Sequence, residues 1–321
     1  MAEAESSRIW IIKMNFIYGV ICHQLTHSLV FLVNELLKSP HSIILIHVDQ
    51  KADLAPFSTQ FGQHAQVHFL TDRVDVRWGS YSQIAVMLKL LQEAQKYRYG
   101  YFFFLSGDDI PLCSNTAREL FLEKEYQKQT EFVGCDDLAD DVEQRVNILY
   151  LPIMYQKAKA PLFQLLNRLA LWYCRRFRKQ DISHLPTLYK GSNWITLTDH
   201  AVTFILDYLE AHPDYLRTFK SSLCADEIFF HTIIYNSHFQ QRIYHAQHRI
   251  EDCETGLRYI DWDSGPDYPK VLDESDFDKM KQSGMLFARK MNATIAVDIL
   301  EKHFPGKIHA GKVPSKLDGI V

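Results

Sequence analysis

The sequence predicts an α/β domain in which a mainly parallel sheet carries helices on both faces, and three observations predict it. Short β-branched and aromatic runs alternate with segments of helical apolar spacing between residues 14 and 135. The run Tyr101-Phe102-Phe103-Phe104-Leu105 has no polar position, the pattern of a strand covered on both faces. Directly after it, Ser106-Gly107-Asp108-Asp109 projects two carboxylates from the carboxyl end of that strand, the edge at which open α/β sheets hold ligands.

Taken in order, Phe16–Cys22 reads as a short buried strand. Leu25–Leu37 then repeats Leu25, Leu29, Leu32, Val33, Leu36 and Leu37 at helical spacing. Ser42–Val48 and Val67–Leu70 are the second and third strands. Tyr81–Tyr97 is an amphipathic helix with Ile84, Leu88, Leu91 and Ala94 on one side, Tyr101–Leu105 the fourth strand and Phe132–Cys135 the fifth. The second half is less regular. No repeat or low-complexity linker divides the chain, so 1–321 is read as one domain with a nucleotide-binding half (14–135) and an acceptor-binding, catalytic half (136–321). Within that second half Leu162–Lys179 forms a helix in which Leu165, Leu166, Leu169 and Trp172 stand beside Arg168, Arg175, Arg176, Arg178 and Lys179. Two readings fit it: peripheral contact with anionic lipid headgroups, or a core helix with a solvated basic face.

Composition narrows the function classes. An apolar share of 47% and a charged share of 23% over 321 residues are those of an ordinary soluble domain, and a net charge of −4 gives no reason for a nucleic-acid partner. Met1–Ser7 is acidic and small, unlike the basic start of a secretory signal, and residues 1–13 read as an extension. Apolar stretches are interrupted well short of a bilayer-spanning length. Six cysteines without a CxxC pair read as reduced, buried thiols of a cytosolic protein.

Several motif matches carry no chemistry. Gly306 to Lys312 imitates a P-loop but ends in Val313 and Pro314 instead of a hydroxyl residue and a helix. His23 and His27 lie one turn apart with no further ligand patterned around them. Asn292-Ala-Thr294 fits a glycosylation sequon without other signs of secretion. The Asp-x-Asp spacings Asp261–Asp263 and Asp276–Asp278 fall outside the first α/β layer, where a nucleotide-bound metal would be expected.

Three constellations remain. Asp108-Asp109 is either a ligand-facing acidic pair or a turn that caps its own backbone amides. Asp226-Glu227 opens a helix; Glu227 is a candidate general base, although acids in a first turn also serve the helix dipole. Arg289-Lys290, with Arg258 as a third cation, can neutralise a departing diphosphate without a metal.

In order along the chain, Ile46-His-Val-Asp49-Gln-Lys51, Val76-Arg-Trp78-Gly79-Ser80-Tyr-Ser82, Phe104-Leu-Ser-Gly-Asp-Asp-Ile-Pro111, Gly191-Ser192-Asn-Trp194, Ala225 to Thr232 and Leu286-Phe-Ala-Arg-Lys290 resemble the Core-2/I-branching enzyme family, which includes the peptide O-xylosyltransferases. The resemblance runs from about Phe16 to Phe304. It implies a GT-A-type, Rossmann-like fold and inverting, metal-independent transfer from a UDP-sugar to a hydroxyl of a glycan or lipid-linked saccharide. By the same resemblance Glu227 is the base, Asp109 faces the reaction centre, and Val48, Asp49, Trp78, Gly79, Arg258, Arg289 and Lys290 hold the donor. Asp108, Trp194 and Trp262 face the acceptor. No metal and no cofactor beyond the donor is implied. N-acetylglucosamine ranks first as the sugar and xylose second. The short chain, without the stem and disulfides of the animal enzymes, is expected to be a bacterial, cytoplasmic member, at the inner face of the cell membrane if Leu162–Lys179 docks there, making a cell-surface polysaccharide. Two other classes are compatible with the residues alone. One is a glycoside hydrolase using Asp109 with Glu227; the other is a non-catalytic nucleotide-sugar or glycan-binding protein.

Overall fold

A computed structural model describes residues 14–136, 140–156, 160–245, 252–265 and 268–304. Five strands form the main sheet: β1 (Phe16–Cys22), β2 (Ser42–Val48), β3 (Val67–Phe69), β4 (Tyr101–Ser106) and β6 (Thr196–Thr198), in the order β3-β2-β1-β4-β6. All pairings are parallel except β4 with β6. A second sheet joins β5 (Ile110–Pro111), β8 (Phe287–Arg289) and β7 (Arg258–Ile260) in that order.

Among the described residues twelve α-helices accompany the strands: α1 (His27–Leu37), α2 (Ala55–Phe61), α3 (Tyr81–Ala94), α4 (Asn115–Tyr126), α5 (Val142–Asn147) and α6 (Pro161–Phe177) precede β6. After it come α7 (Asp199–Ala211), α8 (Pro213–Thr218), α9 (Asp226–Tyr235), α10 (Asp252–Thr255), α11 (Phe277–Gln282) and α12 (Val297–His303).

The aromatic run of β4 is explained by the period of two along a strand. Tyr101, Phe103 and Leu105 enter one core with Phe16, Tyr18, Ile44 and Ile46, beneath α1 and α2. Phe102 and Phe104 enter the opposite core with Ile17 and Leu45, beneath α3, α7 and α9. Both faces of β4 are therefore dry, which is why the run has no polar position. Thr26 starts α1 by accepting the Leu29 N–H, and Ser80 starts α3 by accepting the Ser82 N–H.

Two sequence expectations need correction. Phe132–Cys135 is not a strand: it makes only an isolated bridge, Phe132 with Thr196. The fifth strand is β6, antiparallel to β4 and drawn from the second half of the chain. At Gly134 the chain lies against the Asp252 backbone so closely that an added Cβ would sit 2.0 Å from its carbonyl oxygen, and the ladder stops. The core-helix reading of Leu162–Lys179 also fails, because Leu162, Leu165, Leu166, Leu169 and Trp172 of α6 are all exposed and Cys174 alone in the helix is buried.

The Asp-x-Asp spacings and the sequon are parts of local structure. Asp261 caps the Asp263 and Ser264 N–H groups, Asp276 holds Lys270 Nζ at 2.7 Å, and Asn292 accepts from Thr294. None of the six cysteines is disulfide-bonded among the described residues. Residues 1–13 and the Gly306–Lys312 segment lie outside them. No helix among the described residues is long and apolar enough to cross a membrane.

β6 is anchored by buried Thr198. Its N–H donates to Glu131 Oε2 at 2.9 Å, its hydroxyl to Glu131 Oε1, and its Oγ1 accepts from the Ala201 N–H to cap α7. Thr198→Val keeps the shape and removes both hydroxyl interactions. A loss of about 2–4 kcal/mol is expected in chemical denaturation.

Candidate active site

The parallel strands β1, β2 and β4 end at one edge, and the site is assembled there. Val48 closes β2 and Asp49 follows it, its N–H bonded to Cys22 O at 2.8 Å at the end of β1. Asp49 is nearly buried and accepts from the Lys51 N–H and Nζ at 2.9 and 3.0 Å. Lys51 Nζ reaches on to Val76 O at 2.7 Å, and Arg73 donates to Val48 O and Asp49 O. Loop 73–79 is thereby held against the end of β2, with exposed Trp78 and buried Gly79 at its tip. Gly79 takes φ of +71°, a conformation that a side chain resists, and its carbonyl accepts from Cys224 N–H at 2.7 Å.

The Cys224 contact leads to α9. Asp226, in its first turn, is buried and receives two amides on one oxygen, from Gln83 Nε2 at 3.0 Å and Asn193 Nδ2 at 2.6 Å. Burial and the adjacent Glu227 charge push Asp226 up to about 7, against the pull of Asn193. Glu227 keeps 33% of its side chain exposed and pairs with Arg145 Nη1 at 2.7 Å. Burial raises its pKa, and Arg145 and Lys190 draw it back down. A carboxylate set in this way, open to solvent on one side and paired with a cation on the other, has the surroundings that a general base needs.

Asn193 is followed by Trp194, and the guanidinium of Arg289 lies 3.8 Å from the Trp194 ring centroid. Arg289 ends β8, paired antiparallel to β5 through Ile110–Ala288, which sets it beside the acidic turn. There Arg289 Nε donates to Asp109 Oδ1 at 3.1 Å. Lys290 is half exposed, with Nζ 3.8 Å from Asp108. Five of the predicted residues, Asp108, Asp109, Trp194, Arg289 and Lys290, thus meet directly. Glu227 joins them through Asp226 and Asn193, and Val48, Asp49, Trp78 and Gly79 through the 73–79 loop.

Two predicted residues, Asp109 and Arg258, stand elsewhere than expected. Asp109 is 0% exposed and accepts from the Ser106 N–H at 2.9 Å and Ser106 Oγ at 2.8 Å as well as from Arg289. In this structure it caps its own turn and aims Arg289, and does not face an open reaction centre. Burial raises its pKa and Arg289 opposes the rise. Arg258 is also 0% exposed, donating to Gly256 O, Phe104 O and Thr196 Oγ1 and flanked by Phe103 and Phe287. Burial pulls it down to about 10, which leaves it charged, behind Asp109 and out of reach of a surface ligand. Trp262 is exposed in the turn after β7. No group of three or more metal-ligating side chains occurs among the described residues.

Sequence reasoning missed Arg145, Gln83, Asn193, Lys51 and Arg73. Asn193 and Lys51 lay inside motifs already noted, but Arg145 in α5 carried no signal. A surface depression of about 410 Å³ bounded by Gln180, Asp181, His184, Asp214, Arg217 and Thr218 contains none of the site residues.

Among known proteins, a sequence model of the Core-2/I-branching enzymes matches residues 18–283. The chain belongs to the Core-2/I-branching enzyme family. It is accordingly a glycosyltransferase with a GT-A-like fold, a nucleotide-sugar donor and a glycan acceptor. The family match ends before Arg289 and Lys290, which the fold nevertheless returns to the site on β8. No curated protein matches the chain.

Gly191, at the start of the loop that carries Asn193 and Trp194, donates to Glu227 O at 2.9 Å. An added Cβ would lie 2.1 Å from Gly134 O and 2.8 Å from His231 Nε2. Gly191→Ala is expected to destabilise the fold by at least about 2 kcal/mol. Denaturation measures that cost, and tryptophan fluorescence should register the displaced Trp194.

Proposed function

We propose that this glycosyltransferase is inverting and metal-independent. It would move a sugar from a UDP-sugar to a hydroxyl of a glycan or lipid-linked saccharide, in cytoplasmic synthesis of a bacterial cell-surface polysaccharide. N-acetylglucosamine is the first donor to test and xylose the second. The observation that carries this reading is the pairing of a partly open, Arg145-held carboxylate with a cation pair fixed by Asp109 and Asp108, the two joined through Asp226, Asn193 and Trp194.

Glu227 takes the proton from the acceptor hydroxyl as its oxygen forms the bond to the anomeric carbon. The bond from that carbon to the UDP oxygen breaks on the opposite face. Arg289 and Lys290 meet the negative charge that grows on UDP, and because they are already fixed the protein has little to reorganise as the charge develops. Arg258 contributes positive potential from behind them. The hydrolase alternative required Asp109 and Glu227 to flank a glycosidic bond. Asp109 is fully buried and engaged with Ser106 and Arg289, so the geometry favours transfer.

UDP release from each UDP-sugar, measured in EDTA with glycan acceptors, is expected to occur with one donor. Activity lost in EDTA and restored by manganese would overturn the metal-free reading. Glu227→Gln should retain UDP affinity and lose roughly 10²–10⁴-fold in transfer. Lys290→Ala should weaken UDP binding by about tenfold or more. Equal activity of Glu227→Gln and the unsubstituted enzyme would remove Glu227 as the base.

Arg145 gives a pH test with a definite sign. The base works ionised, so transfer falls as pH drops through its pKa. Removing the Arg145 charge leaves burial and Asp252 to raise that pKa further, with Lys190 as the remaining opposing cation. The acidic limb of the rate profile should move to higher pH in Arg145→Ala, and less in Arg145→Lys.

A further inference from the structure

Helix α6 presents its apolar stripe outward. Leu162, Leu165, Leu166, Leu169, Trp172, Tyr173 and Phe177 recur at three- and four-residue spacing along the helix, and each is exposed; Leu162 is at 69% and Trp172 at 63%. The opposite side packs against the body of the protein: Cys174 is buried, and Phe163, Asn167, Ala170 and Leu171 are half-buried. A contiguous apolar strip of this kind, left facing solvent, marks a surface that is covered in use.

The charge around the strip says what covers it. Between Lys157 and Gln180 the sequence holds seven cations (Lys157, Lys159, Arg168, Arg175, Arg176, Arg178 and Lys179) and no carboxylate, within a chain of net charge −4. Arg168, Arg175, Arg176 and Lys179 form no ion pair among the described residues. Arg176 lies over the Phe177 ring at 5.1 Å, so cation and aromatic are presented together. Leucines flanked by arginines, with a tryptophan and a tyrosine toward the basic end, match an anionic bilayer surface: acyl chains take the leucines, and lipid phosphates the arginines.

We propose that α6 docks the protein on the surface of an anionic phospholipid bilayer, lying in the plane of the headgroups without crossing the membrane. This rests on the helix alone and is independent of the donor, acceptor and mechanism argued above. Exposed leucines and flanking arginines act together, the first by burial among acyl chains and the second by attraction that salt screens.

The test is flotation of the full chain with phosphatidylcholine vesicles and with vesicles that also contain phosphatidylglycerol. Binding is expected on the second alone, weakening as salt is raised. Both Arg175→Gln/Arg176→Gln and Leu169→Gln/Trp172→Gln are expected to cut partitioning by about tenfold or more. These side chains are exposed, so circular dichroism and the thermal transition should stay unchanged and confirm folding. Absence of binding to either vesicle, equal binding to both, or unaltered binding by the two double variants would overturn the proposal. So would a solution dimer, seen by sedimentation, that Leu169→Gln/Trp172→Gln dissolves; the strip would then be a face for a second copy of the chain.

Discussion

A carboxylate with no exposure to water must be satisfied from within the protein, and the way Asp109 is satisfied organises the site. Ser106 supplies two donors from the end of β4, which ties the carboxylate to the central sheet. Arg289 supplies the third from the end of β8, which ties the small sheet to the large one. The interaction works in both directions: the guanidinium keeps a buried acid supplied with positive charge, and the acid fixes the guanidinium over Trp194. Arg258, buried among Phe103, Phe287 and backbone carbonyls, adds a second cation that no ligand touches directly.

From Arg289 the contacts continue in a circuit around the edge of the sheet. Trp194 is next to Asn193, which holds Asp226; Asp226 also receives Gln83, which starts near Gly79; Gly79 leads back through the 73–79 loop to Asp49. Side chains far apart in sequence are thereby set with few free torsions. Glu227 stands on this circuit through its own backbone, since Gly191 donates to its carbonyl, while its carboxylate answers to Arg145. Position and protonation of the Glu227 carboxylate are governed by different neighbours, one set fixing where the group is and the other biasing its charge.

Much of this was legible in the sequence wherever local pattern decides local structure. Strands β1, β2 and β4 follow from their apolar runs, α1 and α3 from their spacing, and the edge carrying Asp49 and Asp108-Asp109 from the parallel order those elements imply. What was not legible depended on partners distant in sequence. A Gly at 134 pressed against Asp252 ended the expected fifth strand, and three residues at Thr196–Thr198 replaced it. The motif at Asp108-Asp109 was found, but its division of labour was not: adjacent identical residues differ because the turn buries one and leaves the other partly open. Arg145 was invisible because nothing in its own helix distinguishes it from an ordinary surface arginine. The helix α6 shows the converse limit, since its amphipathic pattern was plain and only the fold could say which stripe faced out.

The antiparallel strand β6 has a consequence for how the chain reaches this state. Its three residues come some ninety positions after β4, yet they close the open edge of the layer that carries Asp49 and Asp108-Asp109. A ribosome delivers β1 to β4 first, so the early layer emerges with an uncovered row of backbone donors and acceptors along its most aromatic strand. The stretch that seals this edge is followed directly by α7 and then α9, whose apolar residues share a core with Phe102 and Phe104. Sealing the sheet, roofing one face of it and delivering Glu227 are therefore one late event. A fragment that stops short of Thr198 would have no means of hiding β4 and would be a candidate for aggregation.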